Sequence, residues 1–209
     1  MKEKNSVMKK TRSELKREAI LLAAKDAFRQ FGAQSTSMDK IAALAQVSKR
    51  TVYNHFSSKE VLIMTLLADL WGATENLVEP EQLDPLSMEQ QLEQLLYSEI
   101  DVLSSDEYLD LARVVLGYYL YRPDELMLQS EQMAKKESQI LSWIKYHVEQ
   151  KNLDIQDIEL ANGQLHSLVK GGCFWPQVMG RKTILTQHDK QYLAKQNAQF
   201  FLAHYGCKK

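Results

Sequence analysis

An all-α fold with a basic head and an acidic body is predicted for this 209-residue chain by three features of its sequence. Apolar residues recur with a helical period nearly throughout, and no segment alternates as a half-buried strand does. Only four prolines and eight glycines interrupt the pattern. Residues 1–60 (the head) carry 13 Lys and Arg against 6 Asp and Glu, net +7, whereas residues 61–209 (the body) carry 13 against 21, net −8. This asymmetry predicts a polyanionic partner for the head alone.

The first helix is predicted to begin at a capping box, Thr11 with Glu14 three residues later. Its apolar residues recur at successive turns and should be buried: Ile20, Ala23, Ala24, Ala27, Phe28 and Phe31. Gly32 is expected to end this helix as a left-handed cap. The basic arm at 1–12 could enter a minor groove or remain a solvated end.

A second, shorter helix should follow, with a start signal of the same kind at Thr36 and Asp39. Its buried side chains are expected to be Met38, Ile41, Ala42 and Ala45. A tight turn at Gln46 then leads to Ser48, which can cap a third helix.

The third helix, SKRTVYNHF (48–56), has only two residues, Val52 and Phe56, that lie four apart on an apolar face. The remaining side chains can reach phosphates or base edges: Lys49, Arg50, Thr51, Tyr53, Asn54 and His55. Two short helices joined by a tight turn, the second with a polar surface, form the helix-turn-helix arrangement that enters a DNA major groove. Phosphate anchors are also expected at the starts of the neighbouring helices, from Thr36, Ser37 and Lys59.

A long fourth helix is predicted to begin at Ser57 and Glu60, and its first part, VLIMTLLADLW (61–71), is apolar on nearly every side. Such a helix must be buried on several sides, so we expect it to join the head to the body without a linker. Further helices are predicted near residues 86–103, 106–121, 123–151, 156–179 and 187–205.

The stretch FRQFGAQSTSMDKIAALAQVSKRTVYNHFSSKEVLIMTLL resembles the DNA-binding domain of the TetR/AcrR family of bacterial regulators, and the resemblance extends from residue 14 to about residue 67. It implies DNA contacts from Thr36, Ser37, Ser48, Lys49, Thr51, Tyr53, His55 and Lys59. Two positions depart from the family pattern. Arg50 stands where many members have a small residue, and Gln46 stands where glycine is common; a left-handed Gln46 costs about 1 kcal/mol or less.

The resemblance also implies two domains: a three-helix DNA-binding domain at 1–60 and a helical-bundle effector-binding and dimerisation domain at 61–209. The tyrosines of GYYLYRP (117–123) are more than a buried helix satisfies readily, so some could line a cavity. We expect a small apolar or aromatic effector to bind among Trp71, Tyr118, Tyr119, Tyr121 and Trp143.

The last two long helices are expected to form a homodimer interface, because each carries an apolar stripe. The first stripe comprises Ala161, Leu165, Leu168, Val169 and Gly172, and the second Tyr192, Leu193, Phe200, Phe201 and His204. The same stripes could equally pack against their own body.

Other classes of protein find no support in the sequence. There is no run of 18 apolar residues and no signal peptide, so we expect a cytoplasmic protein without a membrane partner. No catalytic motif, metal-ligand spacing or cofactor fingerprint occurs, and Cys173 and Cys207 are expected to be reduced thiols whose redox role stays open. The interpretation is therefore a regulator, by family default a repressor, that binds a double-stranded operator as a dimer. The alternative is a helical protein-interaction adaptor without small-molecule control, which would lack salt-dependent DNA binding.

Overall fold

A computed structural model describes residues 10–75, 77–120, 122, 124, 127 and 138–207, with the side chains of Trp71, Pro80 and Glu81 left out. In these residues every regular element is a helix, and the β-type pairing consists of an isolated bridge between Leu153 and Gly206. The predicted all-α fold is confirmed. No helix in the described ranges is long and apolar enough to cross a membrane.

The described helices, numbered in chain order, are α1 Arg12–Phe31, α2 Met38–Leu44, α3 Lys49–His55, α4 Lys59–Gly72, α5 Pro80–Leu83, α6 Met88–Leu103, α7 Asp106–Tyr119, α8 Gln139–Glu149, α9 Ile158–Cys173, α10 Trp175–Val178 and α11 Gln187–Tyr205.

The chain divides into two compact units. Unit 1 contains Met1–Leu67 and Val114–Arg122, and unit 2 contains Ala68–Arg113 and Pro123–Lys209. Helices α4 and α7 each contribute residues to both units. The predicted domain division after residue 60 falls inside α4, whereas the two units divide further along the same helix, after Leu67.

Two predicted helix starts agree with the structure. The hydroxyl of Thr11 accepts a hydrogen bond from the Glu14 main-chain N–H, and the Glu14 carboxylate accepts one from the Thr11 N–H at 2.7 Å, which completes the capping box. Ser48 caps α3 by accepting from the N–H of Thr51 at 3.1 Å. Both caps satisfy N–H groups that a helix start leaves without partners.

Two other predicted starts are wrong by one residue. Helix α2 is capped by Ser37 rather than Thr36, because the Thr36 hydroxyl is buried and donates to the carbonyls of Gly32 and Ala27, at 2.9 and 3.3 Å. Helix α4 begins after Ser58, whose Oγ accepts from the N–H of Val61 at 3.3 Å, rather than after Ser57. In both places two hydroxyl residues are adjacent, and the second of them caps the helix.

The core of unit 1 largely follows the predicted apolar faces. The buried side chains of α1 include Ile20, Ala23, Ala24, Ala27 and Phe28. Phe31 is an exception: its ring is 40% exposed, with the Lys40 ammonium 2.9 Å from the ring centroid. Ala45, expected in the core, is half-buried at the C-terminal cap of α2. Gly32 has a positive φ of 77°, but its ψ of 151° lies outside the left-handed helical region that we expected.

Unit 2 is built around α6, which packs against α8, α9 and α11. The predicted helix at 156–179 is two helices, α9 and α10, because the chain turns at Phe174 before Pro176 enters the first turn of α10. Of the predicted helix at 123–151, the structure describes α8 from Gln139 to Glu149, and the earlier part lies outside the described residues except for Asp124, Met127 and Ser138. Short helix α5 was not predicted.

Candidate DNA interface and effector cavity

Helix α3 presents a polar surface on an apolar base. Val52 and Phe56 are 0% and 1% exposed, while Tyr53 is 44% exposed. Lys49, Arg50 and Asn54 are exposed as well, and Thr51 and His55 are half-buried. The structure therefore places together the candidate DNA-contacting residues of this helix on one accessible surface.

The turn between α2 and α3 takes the backbone conformation expected from the sequence. Gln46 has a φ of 53°, in the left-handed region, and the N–H of Val47 donates to the carbonyl of Ala42 at 3.1 Å. Ser48 follows as the cap of α3, and its hydroxyl also lies 2.8 Å from that of Thr51. The turn thus sets the position of α3 relative to α2 through local bonds.

The two cations at the start of α3 have different surroundings. The Lys49 ammonium is paired with the Asp39 carboxylate of α2, at 2.8 Å from Oδ1 and 3.0 Å from Oδ2. The hydrogen bond and charge of Asp39 raise the pKa of Lys49. Arg50 makes no hydrogen bond or ion pair with any residue that the structure describes. Only Arg50 is therefore available to a DNA base or phosphate without first breaking an ion pair.

The candidate anchors outside α3 are also engaged within the protein. Thr36 is 1% exposed, so its side chain has no access to solvent, whereas Ser37 is exposed at the start of α2. The Lys59 ammonium donates to three carbonyls, those of Ala33, Gln34 and Thr36, at 2.8, 3.2 and 3.2 Å. Lys59 therefore connects the first turn of α4 to the segment between α1 and α2, a role that the sequence reasoning missed.

The aromatic residues expected at an effector pocket fall in different parts of the structure. Tyr118 and Tyr119, each 3% exposed, belong to unit 1 and stack edge to face with centroids 5.0 Å apart. Trp143 belongs to unit 2, where its indole N–H donates to Gln91 Oε1 at 2.9 Å. The side chain of Trp71 and the whole of Tyr121 lie outside the described residues. Their common pocket stays a prediction.

Unit 2 contains a small cavity of about 40 Å³ that the sequence reasoning did not anticipate. Its walls include Leu77, Leu95 and Ile140 on the apolar side and Thr74, Glu99 and His166 on the polar side. Glu99 is only 7% exposed, and its Oε1 accepts a hydrogen bond from His166 Nδ1 at 3.1 Å. The sequence contained an indication of this polar site, because Glu99 is a charged residue on the otherwise apolar face of α6.

Burial and the charge of Glu99 also affect two neighbouring groups. Burial, followed by the charge of Glu99, raises the pKa of Tyr108. The same two causes raise the pKa of Cys173 to about 12. Cys173 is therefore a buried thiol, in contrast to the exposed Cys207.

The stripes predicted on the last two long helices are divided between the core and the surface. In α9, Ala161, Leu165 and Val169 are fully buried, and this helix packs against α11 within the same body. The exposed members are Leu168 at 36%, Tyr192 at 61% and Phe200 at 65%, together with His204. A groove between α9 and α11 is lined by Leu160, Gly163, Leu168, Phe200 and His204.

Known proteins are similar to both parts of the chain. Residues 20–64 match the family model described as bacterial regulatory proteins, tetR family, and residues 90–207 match the model described as AefR-like transcriptional repressor, C-terminal domain. A solved TetR family transcriptional regulator from Pseudomonas syringae pv. tomato str. DC3000 is 34% identical, with a TM-score of 0.79 over 93% of this chain and 98% of that one. A TetR-family structure from Mesorhizobium loti MAFF303099 is 26% identical, with a TM-score of 0.71 over 95% of this chain and 100% of that one.

Among curated relatives, the HTH-type transcriptional regulator RutR of Escherichia coli strain K12 is 46% identical over 61 residues. That similarity covers 28% of this chain and 29% of RutR, so it spans less than a third of the relative's length.

Proposed function

The chain belongs to the TetR family of bacterial transcriptional regulators, and we propose that it is a homodimeric repressor that a small-molecule effector releases from a near-palindromic operator. The proposal depends chiefly on the exposed surface of α3, which is polar, while the apolar side chains Val52 and Phe56 hold the helix against the core. The match of the body to an AefR-like transcriptional repressor domain favours repression over activation. We propose no catalytic residue and no cofactor.

Helix α3 is the element that enters the major groove. Arg50 reads a base edge or grips a phosphate, because its guanidinium is free of partners in the described part of the chain. Tyr53 and Asn54 lie beside it on the exposed surface, where they reach phosphates, thymine methyls or adenine edges. Thr51 and His55 are half-buried at the edge of this surface, so their side chains contact only those DNA groups that come close to the helix.

The ion pair of Lys49 with Asp39 must break before the Lys49 ammonium can contact DNA. In the free protein its ammonium is held by Asp39, so contact with DNA exchanges that carboxylate for a phosphate or a guanine edge. The pair is exposed, and exposed pairs contribute little to stability, so the exchange is inexpensive.

Phosphate contacts outside α3 come from the start of α2 and the region of Lys59. Ser37 caps α2 and is exposed, so its hydroxyl and the free N–H groups of the first turn can hold a phosphate. Thr36 contributes through its main chain, since its hydroxyl is buried. Lys59 acts first by positioning this segment, and a direct phosphate contact from Lys59 remains a further proposal.

A second copy of the chain covers the exposed apolar groove of α9 and α11. Leu160 and Phe200 are 56% and 65% exposed there, and Leu168 lines the same groove. Small residues such as Gly163 allow close approach of a partner helix. Two helices from each copy would then form a four-helix interface around a two-fold axis, which matches the symmetry of a palindromic operator.

The effector binds in the body and acts through α4. This helix begins at Lys59 and is continuous to Gly72, so displacement of its far end moves its start. Trp71, Tyr118, Tyr119, Tyr121 and Trp143 remain proposed as contributors to an aromatic effector site. Coupling between effector and operator should be about 1–3 kcal/mol, and it must act equally in both directions.

The proposal is tested by sedimentation of the purified protein, free and mixed with operator fragments selected from its own genome. A dimer in solution and one dimer on each operator are expected. A monomer in both samples at micromolar concentration contradicts the dimeric mechanism, and DNA binding that does not weaken with salt favours a protein-interaction adaptor instead.

A further inference from the structure

The cavity of unit 2 contains a buried carboxylate that is only partly used. Oε1 of Glu99 accepts the hydrogen bond from His166 Nδ1, and since a carboxylate only accepts, that nitrogen carries the proton. Oε2 of Glu99 makes no hydrogen bond with any described residue. This oxygen is not among the fully enclosed side-chain atoms that lack a partner in the described residues, so a donor in the cavity can reach it.

No Lys or Arg of the described residues forms an ion pair with this carboxylate. The ion pairs of Glu99 are limited, in that part of the chain, to His166. On the same helix, Asp101 is paired with the Lys190 ammonium at 2.8 Å. The more exposed carboxylate, Asp101, thus has a lysine partner, whereas the buried carboxylate, Glu99, has none. This difference is consistent with a buried site that binds a cation.

The second nitrogen of His166 points to the same chemistry. In the neutral imidazole with its proton on Nδ1, Nε2 is an acceptor, and it makes no hydrogen bond with the described residues. The unused polar atoms of Glu99 and His166 are therefore both acceptors. A ligand group that only donates fits them best, and a primary ammonium has three donors and no acceptor.

The size of the cavity and its other walls define the rest of the ligand. A volume of about 40 Å³ is close to that of one small polar group. Leu77, Leu95 and Ile140 supply an apolar wall for an attached hydrocarbon chain. A ligand with a longer chain must enlarge the cavity, and doing so displaces its walls.

We propose that the effector is a primary amine with a small apolar body, and that its ammonium group is held by Glu99 with His166 as the second acceptor. This inference rests on the proposed function, because it names the class of effector that the regulator responds to.

The position of the cavity gives the ligand a route to α4. Thr74 and Leu77 follow closely after Gly72, the last residue of α4, and both line the cavity. The next residue, Val78, is clamped by the side-chain amide of Gln139, which accepts from its N–H at 3.1 Å and donates to its carbonyl at 2.6 Å. A ligand that widens the cavity therefore pushes on a segment fixed at one side to α8 and continuous at the other with α4.

The experiment uses calorimetric titration of the full-length protein, without DNA, with a series of primary n-alkylamines and the alcohols and carboxylates of equal chain length. In the wild type, an amine should bind at least about tenfold more tightly than its matched alcohol, because hydrogen bonds to a charged group are the stronger ones. Glu99→Gln should weaken amine binding by about ten- to a hundredfold and leave alcohol binding nearly unchanged. The matched control is Glu93→Gln on the same helix, which removes an equal charge outside the cavity and should bind amines as the wild type does.

The wild-type preference for amines does not depend on any variant, so the proposal stays testable if Glu99→Gln folds poorly. It is overturned if no amine binds, if alcohols or carboxylates bind as well as amines, or if Glu99→Gln binds amines unchanged. Operator binding measured by fluorescence anisotropy separates this site from the proposed function. Amines that bind through Glu99 without releasing DNA support the site and contradict effector control, whereas release by another class of compound alone supports effector control and rejects the site.

Discussion

Lys59 offers the sharpest perturbation of the DNA-binding head. Its ammonium has three donors, and all three are directed to main-chain carbonyls between α1 and α2, at 2.8 to 3.2 Å. One hydrogen bond to a charged group contributes about 1.5–3 kcal/mol. Since Lys59 is half-buried and the freed carbonyls can bind water, we expect Lys59→Ala to cost about 1.5–3 kcal/mol in total rather than three times that amount.

The cost should be local, so amide hydrogen exchange measures it best. A loss of that size corresponds to about a 10- to 150-fold faster exchange of amides around the segment, such as those of Gly32 and Ile41. Arg50→Ala is the matched control, because it removes one exposed cation of the head that has no partner among the described residues. Unchanged exchange in Lys59→Ala would refute the internal role. In that case a fall in the salt dependence of DNA binding by about one unit would identify Lys59 as a phosphate anchor only.

Three further predictions concern single positions. Gln46→Gly should raise the free energy of unfolding by about 0.5–1 kcal/mol in urea denaturation, because glycine removes the penalty of a φ of 53°, whereas Gln46→Ala should not. In the native protein a thiol reagent should label Cys207 and not Cys173, whose pKa burial raises to about 12; labelling of both would show that Cys173 becomes exposed. Burial lowers the pKa of His147 in the folded protein below the value of about 6.5 that applies to the unfolded chain. As the pH falls below about 6.5, the unfolded chain therefore binds a proton that the folded protein does not, and the free energy of unfolding decreases. The melting temperature of His147→Gln should fall less on acidification than that of the wild type; equal falls would contradict this.

The helical faces of the head could be predicted because each helix buries a single stripe. Val52 and Phe56 lie four residues apart, and their burial leaves the rest of α3 for solvent. A tight turn at Gln46 was expected from the spacing of the two helices, and its left-handed backbone from the resemblance, in which glycine is common at that position.

Other features depend on partners that are distant in the sequence. The carbonyls that bind Lys59 precede it by 23 to 26 residues, so no local pattern could reveal them. Thr36 and Ser37 both fit a capping pattern, and only the bond of the Thr36 hydroxyl to the end of α1 decides which one caps. Glu99 differs from these, because a charged residue on the apolar face of α6 was a visible exception to the helical period.

A footprint of the wild-type protein on a DNA fragment selected from its own genome tests the central claim most directly. A dimer that places one α3 in each of two major grooves should protect two related half-sites, with centres roughly 34 to 36 Å apart or somewhat more. Arg50→Ala should keep the spacing and lose preference at one base pair of each half-site, at a cost of about 1–3 kcal/mol if Arg50 reads that base. Failure of any genomic fragment to be enriched over random DNA, or a single protected patch without a symmetric partner, would contradict the account.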